Sequence, residues 1–171
     1  MVLGIYGCGG LGREVYEIAF NINNLNQNWS EIVFIDDNIN IENPRSLAIY
    51  TLPNLIKKFK LDEIEICIAI GEPIIRKILF DKLISFNLPL KTIIHPDVYI
   101  PNSTNIGVGC IICRNVSITS DITIGDNVYF HPMACIGHDS QIGNNSVISS
   151  FVVVSGDCKI GDCTFLAINV I

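Results

Sequence analysis

Charged side chains are scarce in this sequence. They make up 16% of its 171 residues, against about 25% in a typical globular protein. Runs of Lys and Arg are absent, and the 17 acidic and 11 basic residues give a net charge of −6. Because nucleic acids and anionic membranes attract basic surfaces, this balance argues against both as main partners. The hydrophobic share of 49% in turn excludes a disordered, solvated chain.

Long apolar runs are missing as well, and none approaches the roughly 20 residues that a membrane-spanning helix needs. The N-terminal segment, MVLGIYGCGGLG, lacks the basic and then apolar regions of a signal peptide. The seven cysteines are odd in number and are not spaced as in a small secreted domain. We therefore expect a cytoplasmic protein, with no membrane insertion and no nucleic acid among its partners.

The second half of the chain repeats with a period of six. Every sixth residue from Ile94 to Leu166 is large and apolar, thirteen in succession, and the residue four places after each is mostly small or β-branched. This period fits neither a helix nor a long strand, but it is typical of short strands separated by corners. Three hexapeptides make one coil, so the sequence predicts a parallel β-helix of a little over four coils, in a domain over residues 91–171.

The repeat is still in mid-pattern at Ile171. Because repeat stacks need capped ends, we expect either that the β-helix domain is truncated at its C-terminus or that a partner covers the end. Within the repeat, Cys110 and Cys113 form one CxxC motif without a second pair. Since Cys110 falls on a small interior position, we interpret it as a core side chain and expect no metal site.

Residues 1–90 show a different pattern, in which apolar strands alternate with helices. The predicted strands are Val2–Tyr6, Ile32–Ile35 and Ile64–Ile70. The predicted helices cover Leu11–Ile22, Pro53 to about Lys60 and Pro73 to about Phe86. Between the first helix and the second strand, Asn21–Asn28 is predicted to be a loop. Alternating strands and helices indicate a parallel sheet. The predicted fold class is therefore α/β plus β: a small Rossmann-like parallel α/β domain followed by the β-helix.

A glycine loop joins the first strand to the first helix. Its GxGxxG glycines are Gly7, Gly9, Gly10 and Gly12. Such glycines let the backbone approach a phosphate at the helix N-terminus. Asp36 and Asp37 end the second strand, where a carboxylate reaches a ribose or a base. The alternative is a tight turn without a ligand. A single small α/β half disfavours NAD and suits a nucleotide-sugar.

Several motifs occur together along the chain: a GxGGxGRE loop, two aspartates after the second strand, an IAIG segment followed by Arg, an IIHP entry into the repeats, and an IGHD segment at Ile136–Asp139. Their residues include Gly7, Gly9, Gly10, Gly12, Arg13, Glu14, Asp36, Asp37, Gly71, Arg76, His95 and Pro96. Over essentially the whole chain they resemble the sialic-acid O-acetyltransferase and bacillosamine N-acetyltransferase type of sugar acyltransferase. The resemblance implies a left-handed β-helix, a homotrimer, acetyl-CoA as donor, and an N-terminal domain that binds a nucleotide-linked acceptor sugar.

Acetyl transfer to an amine or hydroxyl needs a base, and histidine serves near neutral pH. His138 stands at the third position of its hexapeptide, away from the apolar core positions. The resemblance implies that His138 is the general base and that Asp139 assists it. Gly156 follows one predicted coil later, and the space above a glycine there would admit the acetyl-CoA thioester or the acceptor amine. The alternative is a surface histidine on a polar corner.

Two further residues are assigned to the acceptor site. His131 lies in the hexapeptide before that of His138, where the family often has a polar side chain, and it is equally a candidate for a structural histidine. Arg76, after the third strand, could contact a phosphate of the acceptor or the other domain. His95, beside Pro96 at the domain junction, is interpreted as a structural contact.

The chain departs from the family at two points. The family often has another His shortly after the base, at the position where this chain has Val147, and its members usually continue into further coils and a segment that contacts CoA. The sequence still favours an acetyl-CoA-dependent N-acetyltransferase acting on a nucleotide-linked 4-amino-4,6-dideoxy sugar, in surface polysaccharide or glycan biosynthesis. The alternatives are a sialic-acid-type sugar O-acetyltransferase and an impaired trimeric binding protein. A third alternative, an NAD-dependent reductase, is supported by the glycine loop alone.

Overall fold

The N-terminal part of the chain forms a four-stranded parallel sheet with helices on both faces. The computed structural model describes residues 1–38 and 47–170. The elements here are β1 (Val2–Tyr6), α1 (Gly10–Asn26), β2 (Glu31–Ile35), β3 (Ile49–Tyr50), α2 (Leu52–Lys58), a 3₁₀ turn (Leu61–Glu63), β4 (Ile64–Ile68) and α3 (Pro73–Ser85). The strand order is β3-β2-β1-β4. This order confirms the predicted parallel α/β domain and adds the short strand β3, which the sequence pattern did not show.

The rest of the chain is a parallel β-helix of two-residue strands. They are β5 (Ile93–Ile94), β6 (Asn105–Ile106), β7 (Ile111–Ile112), β8 (Ser117–Ile118), β9 (Thr123–Ile124), β10 (Tyr129–Phe130), β11 (Cys135–Ile136), β12 (Gln141–Ile142), β13 (Val147–Ile148), β14 (Val153–Val154), β15 (Lys159–Ile160) and β16 (Phe165–Leu166). They form three sheets: sheet 1 is β5-β7-β10-β13-β16, sheet 2 is β8-β11-β14, and sheet 3 is β6-β9-β12-β15. Pairing of Phe130 with Ile148 shows that one coil consists of three hexapeptides.

The interior of the prism is filled by the two repeating positions that the sequence indicated. The large position contributes buried residues such as Phe130 and Ile136, and the position four places later contributes Ala134 and Val152. Each corner from Gly109 to Asn169 has a residue in the left-handed backbone conformation, mostly Asn or Asp, which tolerate it. Burial of these two positions confirms the predicted β-helix.

A third set of apolar residues joins the two domains. The outward-facing position of sheet 1 is fully buried at Ile93, Ile111, Tyr129 and Val147, in one cluster with Leu3, Val15, Trp29 and Phe34 of the N-terminal domain. The corresponding outward positions of the other two sheets are mostly exposed. Sheet 1 is therefore the face on which the α/β domain packs.

A buried arginine reinforces this domain interface. Arg76 on α3 is fully buried, and its guanidinium donates to the carbonyl oxygens of Ile68 and Ile70 and to the carbonyl and Oδ1 of Asn127, at 2.6 to 3.0 Å. Asn127 lies at a corner of the β-helix, and its side-chain Nδ2 donates a hydrogen bond to the Arg76 carbonyl oxygen at 3.2 Å. Burial lowers the pKa of Arg76 to about 10, so the side chain stays charged at neutral pH.

The largest difference between the predicted and observed helix boundaries is at the end of α1. The sequence predicts a loop at Asn21–Asn28, but α1 continues through Asn26. Asn23 explains the extension, because its carbonyl accepts from the left-handed residue Gln27 while its side chain bonds the backbone of Trp29 in both directions. Along residues 1–38 and 47–170, no helix is long and apolar enough to cross a membrane.

We expect Arg76→Met to destabilise the protein by at least about 2 kcal/mol, since each buried acceptor left unpaired costs about 1–3 kcal/mol. Urea unfolding followed by circular dichroism measures the change. Lys77→Met, at the neighbouring exposed position of α3, is the matched control and should unfold like the wild type. Equal stability of the two variants would contradict the structural role of Arg76.

Candidate functional site

His138 and Asp139 occupy an exposed corner of the β-helix. The corner follows β11 and joins sheet 2 to sheet 3. The imidazole Nδ1 lies 2.7 Å from Asp139 Oδ2, and both side chains are largely exposed, at 65% and 61%. When the carboxylate accepts the Nδ1 proton, Nε2 is left as the free acceptor nitrogen. The pair therefore presents an oriented base to solvent.

The backbone around this pair holds it in place. Asp139 has a left-handed conformation, with φ of 59°, and its amide donates to the Ser120 carbonyl at 3.1 Å. The amide of Asp157, one coil later, donates to the His138 carbonyl at 2.8 Å. Asp121, Asp139 and Asp157 thus stack in one column, in which only Asp139 follows a histidine.

Gly156 lies directly beneath the imidazole. A Cβ built at Gly156 would come within 2.6 Å of both Cε1 and Nε2 of His138. The sequence prediction of open space beside the ring is therefore wrong, because the imidazole itself fills that space. Glycine is required here so that the ring can lie over the next coil.

The glycine loop has the tight geometry of a strand-to-helix phosphate loop. Gly7 has φ of +107°, and a Cβ at Gly12 would lie 1.9 Å from the Gly7 carbonyl oxygen, so a side chain there would push α1 off the loop. By contrast, a Cβ at Gly9 would meet no atom within 4 Å, and one at Gly10 would meet only Arg13, at 3.9 Å. The exposed part of the loop therefore leaves room for a ligand at the N-terminus of α1.

Asp36 and Asp37 lie at the same edge of the sheet as the glycine loop. Asp36 Oδ2 accepts from the amide of Cys8 within the loop at 3.0 Å. Asp37 is exposed, and its carboxylate accepts from the Tyr6 hydroxyl at the end of β1. The structure thus brings together the predicted glycines and both aspartates.

A groove of about 770 Å³ runs between the glycine loop and the later coils of the β-helix. It is lined by Leu11, Gly71, His131, Ser149, Phe165, Ala167 and Ile168. Burial lowers the pKa of His131, and the charge of nearby Arg76 lowers it further, so the imidazole is neutral at pH 7. Ser149 and Gly71 were not among the predicted site residues. Ser149 lies one coil after His131, so the coil period could have found it.

The predicted site residues lie at two separate places in the structure, and one of them, Arg76, lies at neither. His131 faces the groove beside the glycine loop, whereas His138 lies beyond β11 at the next corner. The sequence assigned Arg76 to the acceptor site, but all five of its N–H groups are taken by protein acceptors in the domain interface. That assignment is corrected, because a substrate would have to displace these buried bonds.

Family comparisons match both halves of the chain. Residues 2–83 match the PglD N-terminal domain, and residues 121–156 match the bacterial transferase hexapeptide (six repeats). Comparison of the sequence with curated proteins gives no match.

Solved structures align over nearly the whole chain. The acetyltransferase domain of PglB from Neisseria gonorrhoeae FA1090 in complex with acetyl coenzyme A is 22% identical, covers 99% of this chain and 97% of its own, and has a TM-score of 0.68. A histidine-to-asparagine mutant of perosamine N-acetyltransferase from Caulobacter crescentus, in complex with CoA and GDP-perosamine, is 16% identical. It covers 99% of this chain and 87% of its own, with a TM-score of 0.78. WeeI from Acinetobacter baumannii AYE is 21% identical, covers 99% of this chain and 93% of its own, and has a TM-score of 0.63.

These likenesses show the fold, a Rossmann-like α/β domain followed by a left-handed parallel β-helix. The two family matches cover the glycine loop in one domain and the His138 corner in the other. The chain therefore combines a match to the PglD N-terminal domain with a match to bacterial transferase hexapeptide repeats, and this combination confirms the predicted resemblance to PglD-type sugar acyltransferases.

Proposed function

We propose that the protein is an acetyl-CoA-dependent N-acetyltransferase whose acceptor is a nucleotide-linked 4-amino-4,6-dideoxy sugar used in surface polysaccharide or glycan biosynthesis. The observation that carries the proposal is the 2.7 Å contact between His138 and Asp139, which leaves Nε2 as a base on an exposed corner. The solved relatives support the two substrates, since one is described with acetyl coenzyme A and another with CoA and GDP-perosamine.

The proposed reaction uses His138 as general base. The nitrogen of the acceptor amine attacks the carbonyl carbon of the acetyl thioester, and Nε2 of His138 takes a proton from that nitrogen. The new C–N bond forms, the C–S bond breaks, and the departing CoA sulfur takes up the proton from the His138 imidazolium. Asp139 stabilises the imidazolium that forms between these steps. Gly156 belongs to the acetyl-CoA side of this site and acts by admitting the imidazole over its backbone.

The acceptor is proposed to enter through the α/β domain. Its phosphates would lie at the N-terminus of α1 beside Gly9 and Gly10, its ribose near Asp36, and its sugar in the groove lined by His131. The neutral His131 offers this sugar a hydrogen-bond acceptor as well as a donor.

We further propose that the active site is completed between copies in a homotrimer. In one chain the groove opens at the corner before β11 and His138 lies at the corner after it, so one copy does not bring acceptor and base together. Sheet 2 and the corners that lead into it expose apolar side chains: Phe151 is 53% exposed, Met133 47% and Val153 41%. Phe151 and Met133 also adopt the left-handed conformation that bulky residues rarely take. An interface on this face would bury them.

We expect His138→Ala to lower kcat/KM about 10²- to 10⁴-fold, the usual range for loss of a general base. Asp139→Asn should lower kcat by a smaller factor and have no further effect in the His138→Ala background, because Asp139 acts through the imidazole. Acetylation of nucleotide-linked 4-amino sugars, read by mass spectrometry, measures both. Asp121→Asn, in the same column one coil earlier, is the matched control.

An unchanged rate in His138→Ala would overturn the proposed base. An acetyl group found on a sugar hydroxyl instead of the amine would favour the O-acetyltransferase alternative, with the base retained.

We expect Gly156→Ala to lower kcat about 10²-fold while leaving the fold intact. The new methyl group would push away an exposed imidazole and not the packed interior, and a base displaced by about 1 Å loses activity on that scale. Gly161→Ala is the control, since its Cβ would meet nothing closer than Thr164 Oγ1 at 3.9 Å. Equal activity of the two variants would show that the position of the ring over Gly156 is unimportant.

We expect Phe151→Asp to yield a monomer that has lost most acetyltransferase activity. Aspartate takes the same left-handed conformation at Asp121 and Asp157, so the coil keeps its backbone while the interface gains a charge. Light scattering on the wild type and the variant measures the mass. A monomeric wild type with full activity would exclude the shared active site.

A further inference from the structure

A polar cluster that the acetyl transfer does not use lies beside the glycine loop. The hydroxyl of Tyr6 donates to the carboxylate of Asp37, with both oxygens at 3.4 Å, and it accepts from the ammonium of Lys82 at 3.2 Å. Burial raises the pKa of Tyr6, so the phenol stays protonated and can donate. The long, shared contact leaves the exposed Asp37 carboxylate with capacity for further donors, and Lys82 uses one of its three N–H groups here.

Lys82 also lines an apolar pocket between α2 and α3. The other walls are Leu52, Pro53, Ile56 and Phe86, and the volume is about 280 Å³. This size lies near the lower end of the range for small-molecule sites. Apolar walls with the ammonium-bearing Lys82 at one side suit an aromatic ring whose edge carries hydrogen-bonding atoms.

The position of the cluster matches the base of a bound nucleotide. Asp36 accepts from the amide of Cys8 in the glycine loop, and Asp37 is the next residue along the chain. A nucleotide with its phosphates at the N-terminus of α1 and its ribose at Asp36 therefore directs its base towards Asp37, Tyr6 and Lys82. This placement rests on the proposed function, because it takes the acceptor to be nucleotide-linked.

The chemistry of the cluster distinguishes among the bases. Guanine presents two adjacent N–H donors, at N1 and N2, next to the acceptor O6. One carboxylate accepts both donors, and a neighbouring ammonium donates to O6. Uracil and thymine place a single N–H between two carbonyl oxygens, which a carboxylate repels. Adenine places an acceptor nitrogen beside its amino group, where the carboxylate finds one donor only.

We propose that Asp37 and Lys82 select guanine, so that the acceptor is a sugar carried on guanosine diphosphate. Isothermal titration calorimetry of the full chain with GDP, UDP, dTDP and ADP tests this selection. Because bonds to charged groups are involved, GDP should bind at least about tenfold tighter than the other three nucleotides. Lys82→Met should weaken GDP binding by a similar factor and leave UDP binding unchanged.

Asp37→Asn gives the sharpest test. An amide offers one acceptor and one donor, which match N1–H and O2 of xanthine, so the variant should lose affinity for GDP and gain affinity for xanthosine diphosphate. Asp62→Asn, an exposed carboxylate in the 3₁₀ turn, is the control and should keep the GDP preference.

The outcomes separate this proposal from the one on which it rests. Inversion of the GDP to xanthosine diphosphate ratio in Asp37→Asn alone supports guanine selection. Equal binding of all nucleotides to the wild type, or a GDP preference that Asp37→Asn leaves unchanged, overturns guanine selection but keeps a nucleotide-binding domain. Absence of binding by every nucleotide overturns both proposals.

Discussion

The rest of the structure depends on the stacking of residues that lie one coil apart. Each coil pairs with the next through register-matched strands, as in Ile136 with Val154. Any residue is therefore placed by its position in the coil and by its neighbours one coil away. This constraint puts the imidazole of His138 over Gly156 and sets Asp139 in a column of left-handed aspartates. The positions of the proposed base and of its partner carboxylate are therefore consequences of the repeat and not of a dedicated loop.

The second constraint is the rigid attachment of the α/β domain to sheet 1. Apolar residues at one position per coil supply the contact area, and Arg76 supplies directional bonds that cross from α3 to the corner at Asn127. A buried cation is costly unless every donor is satisfied, and here carbonyl and amide oxygens satisfy them. The result is a groove at the domain boundary, lined by Leu11 and Gly71 of the α/β domain and by His131 of the β-helix.

Division of the chemistry between two corners gives the protein its proposed assembly. The proposed acceptor side, with the glycine loop and His131, opens before β11, whereas the proposed base His138 lies after it. Sheet 1 is covered by the α/β domain, but the exposed apolar side chain of Phe151 suits the proposed threefold arrangement, in which the groove of one copy meets the proposed base of the next. Binding and catalysis are thereby separated in sequence but adjacent in the proposed trimer.

Much of this protein was readable in its sequence, because repeats and glycine loops are local patterns. The six-residue period predicted the β-helix, and the GxGxxG motif followed by Asp36 predicted that the glycine loop and this aspartate lie at one edge of the sheet. Only the tertiary structure decided the burial of Arg76, the groove between the two domains and the burial of the outward face at Tyr129. Apolar residues recur once per coil through Ile93, Ile111 and Val147 and so indicate that face, but a period cannot say what packs on it. Local sequence determines the conformation of each coil. Which side chains are buried, and which groups they bond, depends on the surfaces that meet from distant parts of the chain.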